Sequence, residues 1–271
     1  MEEELDLALD AARRAGACIL KHYKAPEIRQ KASHNLVTVA DLESEKLITG
    51  MIHDKFPDHA LLAEEGLDDT SLASEHLWLI DPLDGTNNYA HHFSHFCVSI
   101  AYARQGEINV GVVYDPVRDE MFSATLGTGA ELNGKPICTS SAQTLQEALV
   151  GTGFYYERGF VVDLTLQKIR ELFNINIHGI RRTGAAALDL CWLAAGRLDG
   201  FFEYVLSPWD VAAASLIIQE AGGRVSDRKG LELKLGSLGI VASNEFLHES
   251  LLTIVQWPES GLGEGLRDRR E

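Results

Sequence analysis

Two aspartates three residues apart, Asp81 and Asp84, stand in the run Asp81-Pro82-Leu83-Asp84-Gly85-Thr86, directly after the apolar stretch Leu77-Trp78-Leu79-Ile80. The pattern reads as a buried strand that runs straight into carboxylates. Pro82 fixes φ and removes a backbone donor, so ladder pairing is expected to end there. Gly85 permits a tight turn, and Thr86 is placed to cap a following helix. Two carboxylates around such a turn can converge, and the Leu83 carbonyl, freed from the ladder, can point the same way. Oxygen-only donors of this kind suit Mg²⁺. The Gly85 and Thr86 amides at a helix start would suit a phosphate oxygen. For two aspartates alone, an ordinary strand–turn–helix with a solvated acidic rim is as good an account.

Further acids stand at element ends. Ala60-Leu61-Leu62-Ala63 reads as another short buried strand and ends on Glu64-Glu65-Gly66. Asp41 opens a helix after Leu36-Val37-Thr38. Asp210 lies in the first turn of a helix beginning Pro208-Trp209, where the dipole favours an acid that can equally bind metal. Taken together, these positions turn the reading from acidic rim to site.

The elements that must position them follow from periodicity and punctuation. Helices are expected over about 5–23, 41–56 (stopped by Pro57), 160–173, 185–195 (with Gly196 as C-cap) and 208–221. Strands are expected over 60–63, 77–80, 148–153, 175–180 and 200–203, and residues 238–242 and 246–255 close the fold. Between Phe96 and Glu131, strand-like runs at 97–102, 110–114 and 120–124 form an antiparallel meander, and Asn133-Gly134 is a hairpin turn. The tail after Trp257 is polar and Gly-rich and is expected to fray. Mixed sheets with helices on their faces imply a layered α/β or α+β sandwich.

Bulk properties exclude several classes. A length of 271 residues with 45% hydrophobic content supports one large domain or two intimate sub-domains with a proper core. A net charge of −16 argues against binding a nucleic-acid backbone, which needs basic surface. It does not exclude a small anion at a metal-loaded site. The four cysteines, Cys18, Cys97, Cys138 and Cys191, are scattered without a CxxC pair and read as small hydrophobes in a reducing cytoplasm. The start Met1-Glu2-Glu3-Glu4 is acidic where a signal peptide is basic, and no apolar run reaches the ~20 residues that span a bilayer. A soluble cytoplasmic protein is expected. His91, His92 and His95 read as a loop entering a strand. Gly127-Thr128-Gly129 and Gly151-Thr152-Gly153 read as turns, since neither carries a phosphate-loop pattern.

The stretch Asp81 to Tyr89 resembles the first signature of the inositol monophosphatase family, and Trp209-Asp210-Val211-Ala212-Ala213-Ala214 through Glu220-Ala221-Gly222-Gly223 resembles its second. Ala63-Glu64-Glu65-Gly66 and Leu36-Val37-Thr38 through Asp41 match in order and spacing, so the similarity covers roughly residues 5 to 255. One departure is that Asn35 stands where the family often has Asp; this bears on the loop around Lys31 rather than on the chemistry. The resemblance implies an αβαβα sandwich, with 1–271 as one domain: an N-terminal half over about 5–140 holding the metal motif, a C-terminal half over 141–256, and a tail over 257–271.

The resemblance also implies roles. Glu65, Asp81 and the Leu83 carbonyl would hold one Mg²⁺; Asp81, Asp84 and Asp210 a second; Glu65 with waters a weaker third. Thr86 and Asp41 would orient the attacking water, with Glu65 completing the catalytic set. The Gly85 and Thr86 amides would bind phosphate beside Asp84. Glu203, Asp210 and the Gly184-Ala185-Ala186 backbone would line the polyol site. The implied reaction is Mg²⁺-dependent hydrolysis of a small phosphorylated polyol, myo-inositol 1-phosphate first, by a homodimer sensitive to Li⁺. The same chemistry on fructose-1,6-bisphosphate, histidinol phosphate, a nucleotide 3′-phosphate such as 3′-phosphoadenosine 5′-phosphate, or NADP is the alternative. Arg181 and Arg182 are candidate contacts for a second phosphate. A metal-dependent protein-binding module without catalysis is an alternative of another class.

Overall fold

The computed structural model describes residues 1–32, 35–66, 71–156 and 159–258. The first half runs α1 (Glu2–His22), β1 (Ile28–Ala32), β2 (Asn35–Thr38), α2 (Val39–Lys55), β3 (Ala60–Ala63), β4 (His76–Asp84), α3 (Thr86–Ala90), β5 (Cys97–Arg104), β6 (Glu107–Asp115), β7 (Glu120–Thr125), β8 (Ala130–Leu132) and β9 (Lys135–Pro136). The second half runs β10 (Leu149–Thr152), α4 (Phe160–Asn174), β11 (Gly179–Arg181), α5 (Ala186–Ala194), β12 (Gly200–Glu203), α6 (Pro208–Glu220), β13 (Gly223–Asp227), β14 (Ile240–Asn244) and α7 (His248–Val255).

Two sheets organise these elements. The first has strand order β3-β4-β5-β6-β7-β8-β9, parallel only at β3/β4, so the expected meander is present. The second has order β11-β10-β12-β14-β13, with β10 parallel to both its neighbours and the remaining pairs antiparallel. Helices α1 and α2 pack on one face of the first sheet, where Ala11, Ala15, Ile48 and Ile52 meet Trp78, Ile80, Ile100 and Val112. Helices α5 and α6 fill the space between the sheets, joining Leu77, Leu79 and Val113 to Phe201 and Ala242 through Leu188 and Ile217. Helices α4 and α7 cover the far face of the second sheet through Leu164, Leu172, Leu251 and Val255. The result is the αβαβα sandwich. Nearly every residue of α6 from Trp209 to Ile218 is buried, as a helix enclosed between two sheets requires.

Several local expectations are met for their stated reasons. Asn133 and Gly134 take φ of 51° and 72° and close the two-residue β8–β9 hairpin. Other features depart from the reading. The β1–β2 hairpin was not expected, because Ile28-Arg29-Gln30-Lys31-Ala32 lacks an alternating apolar pattern. Strand β13 was also missed; Gly-Arg-Val-Ser-Asp is a polar edge strand paired only with β14. Residues 175–178 are not strand. Ile175 ends α4 and Asn176 turns at φ 59°, while Ile175 and Ile177 pack into the outer core instead. Among the cysteines, Cys97 and Cys191 are buried as expected, but Cys138 is exposed and Cys18 only half-buried. Ser33, His34 and the tail from residue 259 lie outside the described residues, as do the side chains of Lys31 and Asn35. Among the described residues, no helix is long and apolar enough to cross a membrane.

Candidate functional site

Strand β4 does not end at Asp81. Asp81 pairs with Ser99 and Asp84 with Cys97, so three steps along β4 face two along β5. That extra residue is a bulge. In a regular strand, side chains three apart face opposite sides. The bulge cancels the mismatch and brings Asp84 to the side of Asp81, so both line one cavity. Pro82 is accommodated in the bulge, where no ladder donor is needed, and the Leu83 N–H donates to Asp81 Oδ1 at 3.0 Å.

The chain then turns at Gly85, whose φ is 93°. A Cβ there would lie 3.0 Å from the His95 carbonyl oxygen and 3.1 Å from the Ala185 Cβ, so conformation and space both demand glycine. Gly85, and not Thr86, is the N-cap of α3. The Thr86 hydroxyl is committed elsewhere, 3.0 Å from both Asp41 Oδ1 and the Leu83 carbonyl oxygen. Asp41 arrives from the first turn of α2, where it forms a capping box with Thr38. Its Oδ2 accepts from the Thr38 N–H at 2.8 Å and the Thr38 hydroxyl at 2.5 Å. Burial pushes the Asp41 pKa up to about 6, against the lowering effect of these hydrogen bonds.

The second half of the chain closes the cavity. Asp84 Oδ2 accepts from the Ala187 N–H at 2.7 Å, which ties the bulge to the start of α5. Gly184, Ala185 and Ala186 line the wall there. Asp210 sits at the third position of α6 in a capping box with Ser207, accepting its N–H at 2.7 Å. The Ser99 hydroxyl donates to the Trp209 carbonyl at 3.2 Å and holds this helix start against β5. Glu203 ends β12, its carboxylate lying where a Cβ on Gly153 would be. The cavity measures about 560 Å³.

Its electrostatics are one-sided. Among the described residues, Glu64, Asp81, Asp84, Asp189, Glu203 and Asp210 line it against a single cationic side chain, Arg182. Burial, reinforced by Glu64, Asp84 and Asp210, raises the Asp81 pKa well above the ordinary carboxylate range. Burial likewise raises Asp84 and Asp210 to about 7, and Glu203 well above its ordinary value. Carboxylates so placed resist ionising together unless a cation joins them. The donors facing the space are oxygen, the set preferred by a hard divalent ion, so Asp81, Asp84 and Asp210 fit such an ion.

The expected acid at the end of β3 needs correction. Glu64 lines the cavity, and Glu64 is the strongest charged neighbour of Asp81. Glu65, the residue expected there, is felt instead by Asp41. Strand alternation is the reason. Leu62 packs toward α5 and α6 and Ala63 toward α1 and α2. The Glu64 N–H continues the ladder to the Ile80 carbonyl at 3.2 Å. Glu64 therefore shares the Leu62 face, on which Leu79 and Asp81 also lie, and Glu65 falls on the other. Leu61-Leu62-Ala63 is apolar at every position, so the sequence alone does not show which face Glu64 takes. Glu64→Gln is expected to weaken binding of a hard divalent ion in the cavity by about tenfold, a loss of about 1.4 kcal/mol, with Glu65→Gln weakening it much less. The reverse order in a Mg²⁺ titration would restore Glu65 to the cluster.

A model of the inositol monophosphatase family matches residues 1–257. This chain belongs to that family. It is 42% identical over 255 residues to Nus factor SuhB of Escherichia coli strain K12, covering 93% of this chain and 95% of that one. It is 39% identical over 265 residues to inositol monophosphatase 1 of Solanum lycopersicum, covering 96% and 97%. The crystal structure of the extragenic suppressor protein suhB from Bartonella henselae superposes with a TM-score of 0.88 at 34% identity, over 96% of this chain and all of that one.

In this member of the family, one polar network beneath the cavity had no sequence signal. His95 Nε2 lies 2.9 Å from Asp189 Oδ1, both groups being buried, and the Thr183 hydroxyl donates to the same carboxylate. Asn88 Nδ2 donates to the His95 and Thr183 carbonyls at 2.7 and 2.8 Å. These bonds fasten α3 to the segment carrying Gly184–Ala186. His95 lies in the loop entering β5, as expected; its buried partner Asp189 is what the sequence does not show. Of the two arginines, Arg182 reaches the cavity, while exposed Arg181 donates to the Ile180 carbonyl.

Proposed function

We propose that the chain hydrolyses the phosphate monoester of a small polyol in a Mg²⁺-dependent reaction, with myo-inositol 1-phosphate as the first candidate. The observation that carries this reading is the convergence of Glu64, Asp81, Asp84 and Asp210 in one acid-lined cavity beside the Thr86–Asp41 pair, in a member of this family. Asp81, Asp84, Asp210, Glu64 and the Leu83 carbonyl would hold two to three Mg²⁺. Bound there, the ions would supply Lewis-acid polarisation of the ester and acidify a water.

The chain's own residues do the rest. The Thr86 hydroxyl has one proton and two acceptors, Asp41 Oδ1 and the Leu83 carbonyl. With its proton on ionised Asp41, its lone pairs are free to orient a water for in-line attack. Asp41 is fully buried and held by Thr38, so it keeps the hydroxyl in place. The Gly85 and Thr86 amides at the cavity edge would take a phosphate oxygen. Glu203 and the Gly184–Ala186 backbone suit hydroxyl donors and so favour a polyol. Among the described residues Arg182 is the one cation lining the cavity, little provision for a second phosphate, and this weighs against a bisphosphate substrate. A homodimer, a cytoplasmic location and sensitivity to Li⁺ accompany the reading.

The test is phosphate release measured with and without Mg²⁺ on inositol 1-phosphate, fructose-1,6-bisphosphate, 3′-phosphoadenosine 5′-phosphate and NADP. Fastest Mg²⁺-dependent release from inositol 1-phosphate is expected. Release from none of the four would favour the second reading, a binding factor that has kept the fold. That reading draws support from the E. coli relative's name, which is that of a factor.

A further inference from the structure

We propose that Cys18, His22 and Glu43 form a binding site for a divalent cation of the zinc class where α1 meets α2, separate from the acidic cavity. Cys18 and His22 lie four residues apart on α1 and so share one helix face. Glu43 comes from α2, two residues after Asp41. The Cys18 thiol and the His22 Nε2 converge on one atom, Glu43 Oε2, at 3.6 and 2.9 Å. The three potential ligand atoms all lie within 4.8 Å of one another.

Two of these three separations lie within about 0.5 Å of those around a tetrahedral ion, and the sulfur–nitrogen pair is within 4.8 Å. With metal–sulfur bonds of ~2.3 Å and metal–nitrogen or –oxygen bonds of ~2.1 Å, tetrahedral ligand atoms stand ~3.4–3.6 Å apart. The sulfur–oxygen separation is already at that value. The nitrogen–oxygen pair needs to open by about 0.5 Å, which side-chain torsion on half-exposed residues provides. The same convergence of two donors on one oxygen marks a place where one dication can replace their protons.

The donor chemistry separates this site from the cavity. One sulfur, one nitrogen and one oxygen select zinc, cobalt or nickel over Mg²⁺, whereas the cavity offers only oxygen. Three protein ligands leave a fourth position for water. Access is open, since the side chains of His22 and Glu43 are 23% and 49% exposed. Two further groups border the cluster: the Ser44 hydroxyl against the thiol and the Lys21 ammonium nearby. A bound ion would clamp α1 to the helix that presents Asp41. The sequence spacing of the cysteines hid the site because the third ligand lies on another helix.

The experiment uses the full chain saturated with Mg²⁺ and titrates Co²⁺ as a spectroscopic stand-in for zinc. One equivalent is expected to produce a thiolate-to-cobalt charge-transfer band that added zinc abolishes. The band is expected to vanish in Cys18→Ser and in His22→Gln, to weaken in Glu43→Gln, and to survive in Cys138→Ser. Circular dichroism of each variant confirms that it is folded. No band in the parent chain, or an undiminished band in folded Cys18→Ser, overturns the proposal. Neither result bears on phosphate release, so the site stands or falls apart from the hydrolytic reading.

Discussion

Replacing Asp84 by asparagine is expected to slow phosphate release by about 10³-fold at saturating Mg²⁺ while leaving the chain folded, a loss of about 4 kcal/mol in transition-state stabilisation. The substitution is nearly isosteric. The asparagine carbonyl can still accept the Ala187 N–H that Asp84 Oδ2 now accepts at 2.7 Å. What disappears is one formal charge facing Asp81 and Asp210. In the metal-free protein that charge is a burden, since Asp84 raises the pKa of both Asp81 and Asp210. Removing it is expected to leave the melting temperature unchanged or higher without Mg²⁺ and to shrink the stabilisation that Mg²⁺ confers. The measurements are kcat over a Mg²⁺ titration and thermal unfolding with and without the ion. A variant that turns over at the parent rate would dismantle the site assignment.

The metal-free protein is expected to lose stability as pH rises from about 6.5 to about 8, and Mg²⁺ is expected to restore most of the loss. Asp84 and Asp210 titrate near 7 in the folded chain, and Asp81 and Glu203 are also raised well above the ordinary carboxylate range, because burial disfavours their ionised forms. In the unfolded chain such carboxylates titrate near ~4. Between those values the folded state holds more protons than the unfolded state, so stability falls as pH increases and levels off above the folded pKa values. Ionising one such group costs on the order of a few kcal/mol, and the groups repel one another, so the costs are not independent. His59 and His248 act in the opposite sense, because burial lowers their pKa values. Their contribution is complete above about pH 6.5, where the unfolded histidines have already lost their protons. Mg²⁺ binds the ionised carboxylates, so its stabilisation is larger at high pH. Melting temperatures at the two ends of this window, with chelator and with Mg²⁺, check the claim. A metal-free melting temperature that rises with pH, or an equal Mg²⁺ gain at both ends, would contradict it.

Much of the scaffold was legible one element at a time. The strands Ala60–Ala63 and Gly200–Glu203 and the helix start at Pro208 fall where apolar runs and punctuation put them. The Asn-Gly hairpin does too. These features are local: a run of apolar residues must be buried, Pro fixes φ, and Asn and Gly admit the positive φ a tight turn needs, all within a residue or two. The polar strands β1 and β13 escaped because their pairing is decided by a partner rather than by their own pattern.

The acids divide the same way. The sequence by itself determined that Asp84, Asp41 and Asp210 stand at element ends, where a carboxylate can face a shared space; it put Asp81 at a strand end as well, whereas β4 runs through Asp81 to Asp84. It also determined that Thr86 follows a glycine able to turn the chain. Tertiary structure decided which of them meet. The bulge between Asp81 and Asp84 exists because β5 offers two partners to three residues. Glu64 rather than Glu65 enters the cavity because β3 pairs with β4 in one register, and a step of one residue changes the face. The His95–Asp189 pair spans 94 residues of chain and the Asp41–Thr86 bond 45. Side-chain type and local turn chemistry are written residue by residue. The side of the sheet that a carboxylate faces, and its partner there, depend on pairing register and on packing between distant segments.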